Sequence, residues 1–262
     1  MSIDAISPDW LCALFVLLFV IACESGLIVF NFLFKKRKFP PGNEVAGIMF
    51  GTQSLIYSLI LAFVIVAVWS DYEELYQTIA EETDKLNSIL AHSETLPDSI
   101  KKPLDRSLSN YCSEIINKEW NTQEDDAELR PSAIPALRLM LLRLQPKNKL
   151  QENIFNVLDE DLSSISDLRR ERLSHTHSHV PPLVWLILKA GSVLMIIFSY
   201  FLDASSAGLQ KIYLLFLSST IAMSLFLVYT LDHPFDGSAR VSKKPYENIQ
   251  LELKKNWNIS ID

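Results

Sequence analysis

The sequence predicts an all-α membrane protein with four transmembrane helices in two hairpins and an extramembrane helical domain between the second and third spans. Three observations predict it. Mean hydropathy is positive although 21% of the 262 residues are charged, so apolar and charged residues must be segregated along the chain. Four stretches of about 20 residues or more carry almost no charge, each enough to cross about 30 Å of hydrocarbon. Between the second and third of these the apolar residues recur at helical, not alternating, spacing.

The same composition excludes several classes. A net charge of −7 argues against a nucleic-acid partner, because phosphate binding needs a surplus of Lys and Arg on one face. Cys12 and Cys23 are eleven residues apart in one apolar stretch, or roughly 16 Å on a helix, too far to bridge. With seven glycines in all, and neither a phosphate loop nor a GxSxG elbow, no nucleotide site, cofactor or catalytic residue is expected and an enzyme is the least favoured class.

The first span, 10–34, has Glu24 as its only charge and is followed by Lys35-Lys36-Arg37-Lys38. A cleaved leader carries its basic residues before the apolar run, so this span reads as a retained anchor. The Pro-Pro-Gly turn at 40–42 leads to the second span, 46–69, and closes a tight hairpin. The third span, 183–202, follows Pro181-Pro182, and a short Gly-containing turn joins it to the fourth, 209–231. Trp10, Trp69, Trp185, Tyr200 and Tyr229 fall at or near span ends, as an interfacial aromatic belt would place them. The expected divisions are therefore 1–69, 70–182, 183–231 and a polar tail, 232–262, that opens on a turn-rich stretch. Orientation is left open by charge, since the basic run after the first span is opposed by Arg169, Arg170, Arg172, Arg240, Lys243 and Lys244 near the other face.

In the middle segment, Tyr72, Leu75, Tyr76, Ile79, Leu86 and Ile89 or Leu90 form a stripe continuous with the second span. That helix is expected to project several turns from the membrane. Asp98 is read as the cap of a helix carrying Ile100, Leu104, Leu108, Tyr111 and Ile115. An acidic loop, 121–128, precedes a shorter helix through Ile134, Leu137, Leu141 and Leu144, and a long one runs through Leu150, Ile154, Leu158, Leu162, Ile165, Leu168 and Leu173.

Polar residues inside the spans are the functional candidates, because ionisable groups in hydrocarbon are costly without a partner or water. Glu24 and Gln53 sit at one level of the first hairpin, roughly 12–15 Å from the same surface. A hydrogen bond from Glu24 to Gln53 or Thr52 is the structural expectation; a carboxylate on a permeation path or carrying a proton is the functional one. Lys189 lies near enough to an interface to snorkel. On the second span Gly47, Gly51, Ser54, Ser58 and Ala62 make one narrow stripe of small side chains. Such a stripe serves close helix packing or, with Thr52, Gln53 and Tyr57 beside it, borders a pore in an oligomer. Phe50, Tyr57 and Phe63 are then candidates for an apolar constriction.

His175, His177 and His179 alternate, so in extended backbone they could converge on a cation such as Zn²⁺; a polar linker and a pH sensor are the alternatives. The pairs Glu81-Glu82 and Glu119-Trp120 and the run Arg169-Arg170-Glu171-Arg172 read as solvated faces or ion pairs between subunits.

Taken together, the residues resemble a known family. Gly51-x3-Leu55-Ile56-Tyr57-x5-Phe63-Val64-x3-Val68-Trp69-Ser70-Asp71-Tyr72, Tyr111 followed by Glu119-Trp120, Arg169 to Leu173, Pro182-x2-Trp185 and Asp232-His233-Pro234-Phe235-Asp236-Gly237 resemble, in order and spacing, the bestrophin-like family of bacteria and plants. Bestrophins are homopentameric anion channels with four membrane helices per subunit, a pore lined by the second, and a helical cytosolic domain. The resemblance thus implies a homo-oligomeric ion channel in a bacterial inner membrane, with lipid, further copies of itself and inorganic ions as partners and the helical domain in the cytoplasm. Three phenylalanines at successive turns of the second span and a calcium-binding acidic cluster are not found in this sequence. A non-conducting anchored sensor and a proton-coupled transporter using Glu24 are the other readings.

Overall fold

The computed structural model describes residues 8–34, 44–120, 133–142, 148–175, 180–202, 206–235 and 240–256. Among these the secondary structure is helical throughout: α1 (Pro8–Leu33), α2 (Glu44–Ser93), α3 (Asp98–Glu114), α4 (Ala133–Leu142), α5 (Lys149–Ser174), α6 (Pro182–Phe201), α7 (Ala207–Asp232) and α8 (Lys244–Asn256). A π-helical turn, Ile115–Glu119, extends α3. As hydropathy predicts, α1, α2, α6 and α7 are long and apolar enough to cross a membrane. At 1.5 Å per residue the 50 residues of α2 extend about 75 Å, more than twice the hydrocarbon thickness, so much of this unbroken helix is extramembrane.

The chain forms two compact units, Met1–Tyr72 with His179–Arg240, and Glu73–Ser178 with Val241–Asp262. In the first, α1 packs along α7, and α6 completes the cluster with the amino-terminal part of α2. Cys23, Leu27, Tyr57, Leu61, Leu188, Met195, Leu214, Ile221 and Val228 form its core. Two glycines make room for aromatic rings. A Cβ on Gly191 would lie 2.6 Å from the Tyr57 ring, and one on Gly26 would lie 2.6 Å from the Tyr200 hydroxyl. Tyr57 donates to the Leu188 carbonyl at 3.2 Å and Tyr200 to that of Cys23 at 2.8 Å, so both phenols find acceptors deep in the bundle. The carboxylate of Asp232, ending α7, accepts from the Val180 amide at 2.6 Å and the Trp185 indole at 3.0 Å. That clamp fixes the start of α6. No more than 33% of any span's apolar window is buried within the chain, which leaves wide apolar faces for lipid or for other copies.

The second unit packs α3, α4, α5 and α8 with the carboxyl-terminal part of α2. Leu75, Leu86, Ile89, Leu104, Leu108, Ile115, Leu137, Leu158, Leu162 and Ile165 are among its enclosed aliphatics. The long stripes expected for α2, α3 and α5 are present, except that Tyr76 and Leu150, expected on them, are exposed. The cap of α3 differs from expectation: the capping residue is Pro97, whose carbonyl accepts from Ile100 and Lys101. Asp98 is instead the first helical residue and pairs with Lys102 at 3.1 Å, where its charge complements the helix dipole. Asn148 caps α5 through the Gln151 amide at 2.8 Å. The expected polar tail contributes a further helix, α8, whose Tyr246, Ile249 and Leu253 are buried.

Candidate functional site

The inward side of α2 in the first unit carries Tyr57, Leu61 and Val68, all buried, with half-buried Phe50, Gln53, Ser54 and Val64 beside them. Most of the other residues of this stretch are exposed. Gly47, Gly51, Thr52, Ser58 and Phe63 are exposed, and a Cβ placed on Gly47 or Gly51 would have nothing within 4 Å. The small-residue stripe is therefore not used for helix packing within one chain at those two glycines. Ser54 is the exception, donating to the Phe50 carbonyl at 2.8 Å and lying 3.9 Å from the Met195 sulfur. The Thr52 and Ser58 hydroxyls donate back to Ile48 at 3.0 Å and Leu55 at 2.9 Å, which satisfies them without water.

Glu24 is half-buried on α1 and Gln53 half-buried on α2, but no hydrogen bond joins Glu24 to Gln53 or Thr52. Thr52 uses its own helix instead. Lys189 is exposed on α6, its ammonium 5.2 Å from the centre of the Trp185 ring, as a snorkelling side chain beside an interfacial indole would be. His175 caps the carboxyl end of α5; His177 and His179 lie outside the described residues.

The second unit contains a polar network built from residues expected on solvated faces or in ion pairs between subunits. The structure corrects this. Glu82, Arg172 and Glu119 are 0%, 1% and 8% exposed and pair with one another inside the chain. Arg172 donates to Glu82 at 2.8 Å and to Glu119 at 2.8 Å; Arg169 donates twice to Glu119, at 2.9 and 2.7 Å. Tyr111 and Tyr246 give their hydroxyl hydrogens to Glu82 at 2.5 and 2.7 Å. Two carboxylates and two guanidiniums balance in charge, and the acceptor oxygens are filled.

Burial, then the neighbouring Glu82 charge, pushes the Tyr111 hydroxyl well above the usual range. Burial and Glu82 do the same at Tyr246, against the opposing pull of Arg172. Both phenols therefore remain donors. Burial by itself would disfavour the Arg172 cation, but Glu82 together with Tyr246, Glu119 and Tyr111 outweighs it and holds the guanidinium charged. The π-helical turn turns Ile115, Ile116, Glu119 and Trp120 all inward, so Glu119 reaches Arg172 while Trp120 meets the Tyr246 ring edge-on at 5.8 Å.

Sequence alone offered one signal for this network. Glu82 falls on the apolar stripe of Leu75, Ile79 and Leu86, and Arg172 on that of Leu158, Leu162 and Ile165. A charge at a core position of two separate helices points to a buried pair.

The fold and the arrangement of its helices define a multi-pass helical membrane protein whose second span continues into an extramembrane helical unit. The chain belongs to the bestrophin-like family, for the Bestrophin-like domain matches residues 16–246. It is similar in fold to a bacterial bestrophin homologue from Klebsiella pneumoniae, with 15% identity, a TM-score of 0.75, and 95% and 99% of the two chains covered. A single-substitution variant of a bacterial bestrophin homologue from that organism gives 14% identity, a TM-score of 0.72, and 94% and 98% coverage. No curated protein matches the chain.

Proposed function

We propose that this protein is a homo-oligomeric ion channel of the bacterial inner membrane, with the open face of α2 turned toward the axis of a ring of copies. The observation that carries this is the uncovered side of α2, where Gly47, Gly51, Thr52 and Ser58 offer small or hydroxyl-bearing surface and Phe63, 67% exposed, supplies a bulky ring. Membership of the family and the four spans support it. Small side chains leave room for a lumen, and an apolar ring below them can close it by dewetting. Ser54 and Tyr57 act behind this surface, positioning α2 against α6. Five copies and a cytoplasmic helical unit follow the bestrophin pattern, and inorganic ions are the permeant class.

Recording from purified protein in planar bilayers tests the reading, together with a native mass of the detergent-solubilised oligomer. Unitary currents from a ring-sized assembly are expected. A monomer, or a ring silent across a wide range of salt and pH, overturns it. The proton-coupled transporter is separated by Glu24→Gln, which leaves channel currents intact but abolishes flux in a carrier that cycles a proton on Glu24.

A further inference from the structure

We propose that Glu74, Glu171 and His175 form a binding site for a divalent transition-metal ion of the zinc class. Glu74 comes from α2, while Glu171 stands on the last turn of α5 and His175, four residues on, is the cap of that helix. One ligand atom from each lies within 4.8 Å of the other two.

Helix register enforces this convergence. Farther along the same two helices, Asp161 of α5 accepts from Ser88 of α2 at 2.6 Å and pairs with Lys85 at 3.1 Å. Glu74 lies fourteen residues before Ser88, and His175 lies fourteen after Asp161. Fourteen residues are two heptads, so antiparallel helices in contact at one level meet again on the same faces at the other. The buried Arg172–Glu82 pair between the two levels prevents slippage. The side chains are thus brought together by a rigid frame and not by a loop.

The chemistry of the three groups selects the ion. Two carboxylates side by side repel each other unless a cation lies between them, and among the described residues neither Glu74 nor Glu171 forms an ion pair. Calcium and magnesium favour all-oxygen sets; an imidazole nitrogen beside two carboxylates suits zinc and its neighbours. Ligand atoms on zinc, with bonds of about 2.1 Å, sit roughly 3.4 Å apart in a tetrahedron. Rotation of the two exposed glutamates and the half-exposed histidine closes the remaining distance without moving either helix, and water completes the shell. Bound metal would tie α2 to α5 eleven residues beyond Phe63 on the same helix.

The test is zinc titration of the purified full chain by calorimetry, with cobalt(II) spectra reporting the coordination. One zinc per chain is expected, with visible cobalt bands stronger than those of the aquo ion. Glu171→Gln, His175→Gln and Glu74→Gln should each weaken zinc at least about tenfold, whereas Glu160→Gln and the double change His177→Gln with His179→Gln should not. Metal-free melting curves identify folded variants, and any two of the three suffice. The assignment is overturned by absence of binding, by affinity indifferent to His175→Gln or Glu171→Gln, or by displacement of zinc by equimolar calcium. Because no current is measured, these outcomes do not depend on whether the protein conducts.

Discussion

Arg172 on α5 and Glu82 on α2 form an ion pair of 2.8 Å with side chains only 2% and 0% exposed. Ninety residues apart in sequence, they hold two long helices in one register, and the carboxylate is further held by two phenols. Removing either partner leaves the other buried charge held only by the rest of the network, Glu119 for Arg172 and the two phenols for Glu82. Glu82→Gln or Arg172→Met is expected to cost about 3–5 kcal/mol of unfolding free energy, and the double variant less than the sum of the two. Thermal unfolding in detergent measures both; strictly additive losses would show that the pair does not act as a unit.

Asp105 is 1% exposed. One carboxylate oxygen accepts from Ser93 at 3.3 Å, and the other is buried without a partner. Burial raises its pKa, opposed by Lys101 and the Ser93 hydrogen bond and aided by Glu94. For an acid raised in the folded state, native protein binds the proton more tightly than unfolded chain. The stabilising contribution is present below the unfolded value of 3.8 and is lost as pH rises through the folded value. Asp105→Asn is therefore expected to melt roughly 2–4 °C above the parent at pH 7, with the gap closing toward pH 4. A gap independent of pH would exclude the carboxylate as its source.

Gly191 admits the ring of Tyr57 where a Cβ would collide at 2.6 Å. Gly191→Ala should destabilise by about 1–3 kcal/mol through overpacking, and adding Tyr57→Leu should recover part of that loss. Failure of the second change to help, in the same melting assay, would show that the contact is not the cause.

In the proposed ring, Ser58→Phe places bulk on the axis. It should lower unitary conductance severalfold without changing the native mass of the oligomer, while Ile187→Phe on the exposed face of α6 should leave conductance unchanged. Equal effects from both positions would remove α2 from the pore.

Much of the fold was legible because hydropathy and helical period are local properties. Four apolar runs gave the spans, and the stripe from Tyr72 to Leu90 ran into the second span with no helix breaker between them, so α2 emerged as one long helix. The candidate site was less legible. Tyr57 and Ser58 are adjacent and both polar, yet one is buried against Gly191 and the other is exposed. Which side of α2 meets α6 depends on residues more than a hundred positions away.

The sequence by itself determined the helical class, the four spans and the positions of the amphipathic stripes, since segregation and period need no knowledge of neighbours. Only the tertiary structure decided which charges on those stripes meet. Glu82, Glu119 and Arg172 occupy core positions that would be prohibitive for each alone. They are tolerated because packing α2, α3, α5 and α8 together brings opposite charges and two phenols within hydrogen-bond distance, and a pairing across ninety residues is a property of the packed helices, not of any one of them.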